Sequence, residues 1–192
     1  MADFKIKSAS GTGNKTLIQG QDQSGSNYAI EIGDSGALKL GTITSGTFPE
    51  GMVLRVLSNV TSVETSITSS TFAAMATGPS ITITPASSTN KILILGSTSI
   101  HPATDHIYVD ISRSISGGAT THNLSGETGG FVHQGTDEQR NEGSITFLDS
   151  PSTTSAITYK FAARNGNNST TVYFGHASIA STITVMEIQH NS

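Results

Sequence analysis

Apolar and polar residues alternate along most of this chain in short runs, and turn residues separate the runs. Alternation with a period of two marks strands that bury one face. Residues 1–48 hold four short runs: Phe4–Ile6, Thr16–Ile18, Tyr28–Ile32 and Ala37–Leu40, punctuated by Gly20, Gly33 and Gly41. Such glycines suit hairpin turns. From residue 52 onward the runs are Met52–Val60, Ser80–Thr84, Lys91–Thr98, His106–Arg113, Ser144–Leu148, Ile157–Ala163, Thr171–Phe174 and Thr182–Ile188. Weaker runs lie at Val63–Ile67 and at Phe131-Val132. Helical spacing never lasts beyond about one turn, and Ser70–Ala76 reads as a strand edge or a single turn. The pattern predicts an all-β protein, an antiparallel jelly-roll sandwich of about 8–10 strands, with a small N-terminal β arm or mini-sheet. Gly and Pro concentrate in residues 41–51, where the periodicity lapses. The boundary is placed near residue 48, giving an arm at 1–48 and a sandwich at 49–192.

Two strands break the alternation. Ile92, Leu93, Ile94 and Leu95 are consecutive aliphatic residues. In the last strand Ile183 and Val185 share one face while Met186 and Ile188 share the other. A strand apolar on both sides needs cover on both. One face fills the sandwich, and the other needs a cover, either another sheet or, as the favoured expectation, a neighbouring subunit about a symmetry axis.

Composition sharpens this picture. The chain has 192 residues, of which 34% are hydrophobic and 6% aromatic, with no Trp. Ser and Thr exceed a quarter of the chain. This suits strands and turns, and the thin apolar content again points to burial at an oligomer interface. Charged residues are 12% and the net charge is −4, with no Lys/Arg cluster, so nucleic-acid binding is not expected. The absence of cysteine excludes disulfides and thiolate metal sites. The N-terminus alternates polar and apolar residues, and no segment approaches the roughly 20 apolar residues of a membrane-spanning helix. A soluble protein made in a cytoplasm is expected.

Candidate chemistry is sparse. Gly11–Thr16 superficially resembles a phosphate loop, but Asn14 intervenes and a strand follows, so no nucleotide or other cofactor is expected. His101, Asp105 and His106 are three possible metal ligands within six residues, with Asp110 on the same strand face as His106. They form no closed ligand set, and a polar loop entering a strand explains them equally well. His133, His176 and His190 have no neighbouring carboxylate pattern and read as surface residues. Asp137, Glu138, Glu142 and Asp149 could supply a carboxylate pair, yet no nucleophile elbow or cysteine accompanies them, and no enzymatic activity is expected. Residues 114–142 read as a long Gly/Ser/Thr-rich surface loop ending in charge.

The stretch Leu148–Ile188 resembles the C-terminal β-domain of many bacteriophage virion proteins. The residues carrying this are Leu148-Asp149-Ser150-Pro151, Thr153–Lys160, Thr171–Phe174 and Ala180–Ile188. Phe48–Val56 resembles the entry into that domain, and Ile83–Ile94 its turn and next core strand. The resemblance covers residues 48–188. Its motifs mark a domain type and no activity. Its members are similar in outline to trimeric jelly rolls of the complement and tumour-necrosis-factor type. It therefore implies a homotrimer with the C-terminal strand near the threefold axis, and Ile183, Val185, Met186 and Ile188 at the subunit interface.

Such domains occur on tail fibres, head fibres and capsid decoration (cement) proteins. Residues 1–48 show no heptad, collagen-like or β-helix repeat, so a fibre shaft is not expected. The leading expectation is a cement protein on the virion's capsid surface, partnered by the major capsid protein. Phe4, Ile6, Leu17, Ile18, Tyr28 and Ile30 of the arm would bind the capsid. The alternative is a tail- or head-fibre tip whose 114–142 loops bind a host surface receptor.

Overall fold

The computed structural model describes residues 15–21, 27–32, 38–40, 49–103, 105–136, 139–167 and 171–191. It contains two compact units, Met1–Thr47 and Phe48–Ser192. In the first, β1 (Lys15–Gln21), β2 (Asn27–Ile32) and β3 (Leu38–Leu40) form an antiparallel sheet in that order. The register slips between Thr16 and Ile18. It then aligns Ile18 with Ile30 and Ile30 with Leu40.

The second unit comprises β4 (Val53–Thr61), β5 (Thr65–Ile67), β6 (Ala73–Ala74), β7 (Ser80–Ile83), β8 (Lys91–His101), β9 (Ile107–Ile115), β10 (Thr120–Thr121), β11 (Val132–Gln134), β12 (Asn141–Asp149), β13 (Ile157–Asn165), β14 (Val172–Phe174) and β15 (Ser181–Ile188). Every pairing is antiparallel. In sheet 1 the long strands run β4-β15-β8-β12. There β14 pairs with the far end of β8, and β5 pairs with β14. In sheet 2, β13 and β9 pair along nine residues. The outer side of β13 takes β7 and β6, and the outer side of β9 takes β10 and β11. The chain passes from sheet 1 to sheet 2 at β6, returns for β8, crosses again for β9 and so on to β15. That is jelly-roll connectivity, and the expected all-β antiparallel sandwich is what the chain forms.

The core lies between the sheets. Sheet 1 contributes Ile92, Ile94, Ile145, Ile183 and Val185. Sheet 2 contributes Ile107, Val109, Ile111, Ile157, Phe161 and Ala163. Phe161 tilts against Phe174 at 5.1 Å between centroids. A Cβ on Gly96 would come within 2.8 Å of the Phe161 ring, so glycine in the middle of β8 lets that ring lie against the strand.

Two buried carboxylates close one end of the sandwich. Glu187 of β15 and Asp149 of β12 both pair in register with Ile92, on the inner face of sheet 1. Glu187 accepts hydrogen bonds from Arg55 Nη2 (2.9 Å), the Ala86 amide (2.6 Å) and Asn90 Nδ2 (2.7 Å). Asp149 accepts from Arg113 Nη1 (2.7 Å) and the Tyr159 hydroxyl (2.6 Å). Buried charge is tolerated in a core when it is paired and hydrogen-bonded in this way.

The described residues of the span 114–142 do not form one free loop. Its short strands β10 and β11 line the edge of β9. Asp110 is buried beneath the intervening turn, where it accepts from the amides of Leu124 (2.8 Å) and Ser125 (3.3 Å) and from the Ser125 hydroxyl (2.5 Å). Phe131 tilts over Phe147 at 5.0 Å and packs against the core.

Candidate subunit interface

The two outward faces of the sandwich differ in chemistry. On sheet 1, Val56, Met186, Leu93 and Leu148 are successive register partners across β4, β15, β8 and β12. Residues in register share a face, and this face is opposite to the buried one. The result is one apolar row across four strands. Val56 and Leu148, at its ends, are each 53% exposed. A register slip between Glu187 and Ile188 brings Val53 opposite Ile188, which extends the apolar surface by one more row. Met52, Val53 and Val60 are also exposed. Away from this end the face becomes hydroxylic, with Ser58, Thr184, Leu95 and Thr146 in the next row. There Ser58 and Thr184 share a 2.9 Å hydrogen bond.

The outward face of sheet 2 is polar over the corresponding area. Ser112 pairs with Lys160, and Ser114 and Thr82 flank Thr158. Thr82 and Thr158 hydrogen-bond at 2.8 Å. Water satisfies such a face, whereas a row of valine, methionine and leucine gains free energy when another surface covers it, at about 25 cal/mol per Å² buried.

The residues expected at a subunit interface divide accordingly. Ile183 and Val185 are fully buried among the core side chains of their own chain, so they present nothing to a partner. Met186 and Ile188 point the other way and belong to the apolar face. Leu93 was legible as part of a strand apolar on both sides. Val56 and Leu148 were missed as partners of Met186, because only the pairing of β4 and β12 brings them into its row. Among the arm residues, Leu17 and Ile18 fall in β1, and Tyr28 and Ile30 in β2. Phe4 and Ile6 lie outside the described residues.

The suggested metal ligands do not converge. His101 ends β8 and stacks on Tyr173 at 5.7 Å. Asp105 is buried and accepts from the amides of His106 (2.7 Å) and Asn167 (3.2 Å). His106 turns instead to His133, with 2.8 Å between Nδ1 and Nε2. Among the described residues no group of three or more His, Cys, Asp or Glu side chains is placed to hold a metal ion. His190 does have a carboxylate neighbour, Glu50, at 2.8 Å, which 140 residues of separation hid from sequence inspection. Of the candidate carboxylates, Asp149 is a structural acid committed to Arg113 and Tyr159, Glu142 is exposed on β12, and Asp137 and Glu138 lie outside the described residues.

No protein-family model and no curated protein matches the sequence. Among solved structures the chain is similar to that of the infectious bursal disease virus Gt strain. The TM-score is 0.38 and the identity 12%, over 92% of this chain and 41% of that one. It is also similar to a mutant VP2 protein of infectious bursal disease virus from derived T=1 particles. Here the TM-score is 0.33 and the identity 10%, over 84% of this chain and 42% of that one. The chain thus spans about two fifths of the length of the solved chains it matches.

Proposed function

We propose that this protein is a structural component of a bacteriophage virion, a homotrimeric decoration protein that clamps neighbouring major capsid subunits. The observation that carries the proposal is the apolar row Val56–Met186–Leu93–Leu148 on one outward sheet face, set against a polar face on the other sheet. A second copy is the occupant that suits it. The row is uncharged, it lies beside the C-terminal strand, and the phage-domain resemblance implies that this strand approaches a threefold axis. Cyclic association of three copies would cover the row on each.

The separate three-stranded unit within residues 1–47 then supplies the grip. Three such units on one trimer would give avidity from contacts that are individually weak. An exposed sheet edge on the capsid is a suitable receiver, since strand addition uses backbone hydrogen bonds that any sequence can offer.

The test is the copy number of this protein in purified virions relative to the major capsid protein. A ratio comparable to the capsid protein is the expected result. A small fraction of it would reject decoration in favour of a tail- or head-fibre tip that binds a host receptor. One observation favours that second reading, an open groove lined by Phe72, His122 and Arg164 on the outward face of sheet 2.

A further inference from the structure

On the outward face of sheet 2, four planar side chains stand in one row. His133 on β11 pairs in register with Tyr108 on β9, and Tyr108 pairs with Arg164 on β13. Phe72 precedes β6, whose Ala73 is opposite Ala163, so it occupies the position beyond Arg164. The His133 and Tyr108 rings stack at 4.5 Å with 7° between their planes. The guanidinium carbon of Arg164 lies 3.8 Å from the Tyr108 centroid and 5.3 Å from that of Phe72. Arg164 also donates through Nη1 to the Asn165 carbonyl (3.1 Å) and through Nη2 to the Thr128 carbonyl. Its plane is thus fixed from both faces and along one edge, before any ligand arrives.

Beside this row lies an open groove of about 490 Å³. Its lining includes Thr71, Phe72, Thr121, His122, Asn123 and Arg164, and no carboxylate is among the lining residues. Arg164 forms no ion pair among the described residues. The nearest acid on β9, Asp110, is buried, and its oxygens are taken by the Ile111, Leu124 and Ser125 groups. Among the groove-lining residues Arg164 is the sole Arg or Lys, and no acid lines the groove.

We propose that this groove binds an acidic saccharide, with the carboxylate of a uronic acid on Arg164 and the sugar ring against Phe72. A fixed guanidinium matches the planar geometry of a carboxylate better than a lysine would. The half-buried Phe72 ring offers an apolar surface to the C–H face of a pyranose. The Thr71 and Thr121 hydroxyls and the exposed His122 supply donors and acceptors of the kind that sugar hydroxyls need. The inference is independent of the decoration reading, because it concerns the other sheet and would hold for a monomer.

The experiment is a heteronuclear NMR titration of the full chain with trigalacturonic acid and, separately, with its fully methyl-esterified form. The expected result is shifts confined to the groove, with the acid binding about tenfold more tightly than the ester, the factor typical of one charge-assisted hydrogen bond. Arg164→Gln should erase that difference. Thr71→Trp, at an exposed position on the rim, should block both ligands while leaving the rest of the spectrum unchanged. Equal binding of acid and ester would overturn the proposal, as would groove resonances that stay unmoved. Inorganic phosphate binding as tightly as the trisaccharide would also overturn it, by showing a plain anion site.

Discussion

The hydroxyl of Tyr159 on sheet 2 donates a 2.6 Å hydrogen bond to Asp149 on sheet 1, and Arg113 holds the other oxygen of the same carboxylate at 2.7 Å. This clamp crosses the sandwich where the aliphatic core ends. Removing the acid leaves a buried hydroxyl and a mostly buried guanidinium without their partner. Asp149→Ala should therefore cost about 3 kcal/mol, the lower end of the range for breaking a buried ion pair, because Arg113 retains some access to water. Tyr159→Phe removes one hydrogen bond and should cost about 1–2 kcal/mol. Urea denaturation of the three proteins measures both, and equal stability of Asp149→Ala and the parent would reject the clamp.

Tyr159 also sets an alkaline limit. Burial raises its pKa above the ordinary value of 10.0, and the hydrogen bond to the Asp149 carboxylate raises it further. The folded chain then keeps the proton that the unfolded chain gives up. The stabilisation is complete below pH 10.0 and declines steadily as pH rises from there toward the folded value. Unfolding free energy measured between pH 8 and 11 should fall above pH 10 in the parent. The fall should be shallower by one proton's dependence in Tyr159→Phe.

His133 works in the opposite direction. Burial lowers its pKa from 6.5, and the neighbouring His106 and Arg164 lower it further. Tyr108 stands in register between His133 and Arg164 and stacks on the His133 ring. The 2.8 Å hydrogen bond between His106 and His133 also requires one ring to accept, which two imidazolium ions cannot do. The contribution of neutral His133 is complete above pH 6.5 and is lost as pH falls through its folded value. The protection of the β11 amides, taken relative to the intrinsic exchange rate at each pH, should fall on acidification, and His133→Gln should weaken that dependence. An exchange rate unaffected by the substitution at both pH 5 and pH 7.5 would refute this account.

Strand positions were legible because alternation is enforced wherever one face is buried. Ile183 and Val185 against Met186 and Ile188 is the clearest case, although alternation does not say which pair faces inward. Pairing across β4, β15, β8 and β12 decides that, and pairing is a long-range property. The same reason hid the Arg164 row, whose members come from Phe72, Tyr108, His133 and Arg164. Asp110 misled in another way. It does share the outward face with His106, but a turn at Leu124-Ser125 covers it and takes its oxygens, so a face expected in water is locally buried.

The arm can be tested apart from the sandwich. Residues 1–47 form their own compact unit, and the jelly roll draws its core from residues 67–185. Deleting residues 1–48 should leave a folded trimer that no longer binds capsids. Co-sedimentation with arm-free particles measures this, and decoration by the truncated protein would remove the arm from the proposal.

The apolar row gives the sharpest separation of assembly from folding. Val56 and Leu148 are half exposed in the single chain, so a charge there meets water and leaves the monomer's core untouched. In a trimer that covers the row, the same charge would be buried without a partner, at a cost of several kcal/mol per subunit. Val56→Glu and Leu148→Glu should therefore yield folded monomers by sedimentation equilibrium, with the parent's far-ultraviolet spectrum. Ile183 lies three residues from Met186 on the inward face of β15 and is fully buried, so Ile183→Glu should abolish folding outright. Trimers persisting in both surface variants would place the subunit contact on another face, whereas monomers in the parent itself would leave the row without the occupant proposed for it.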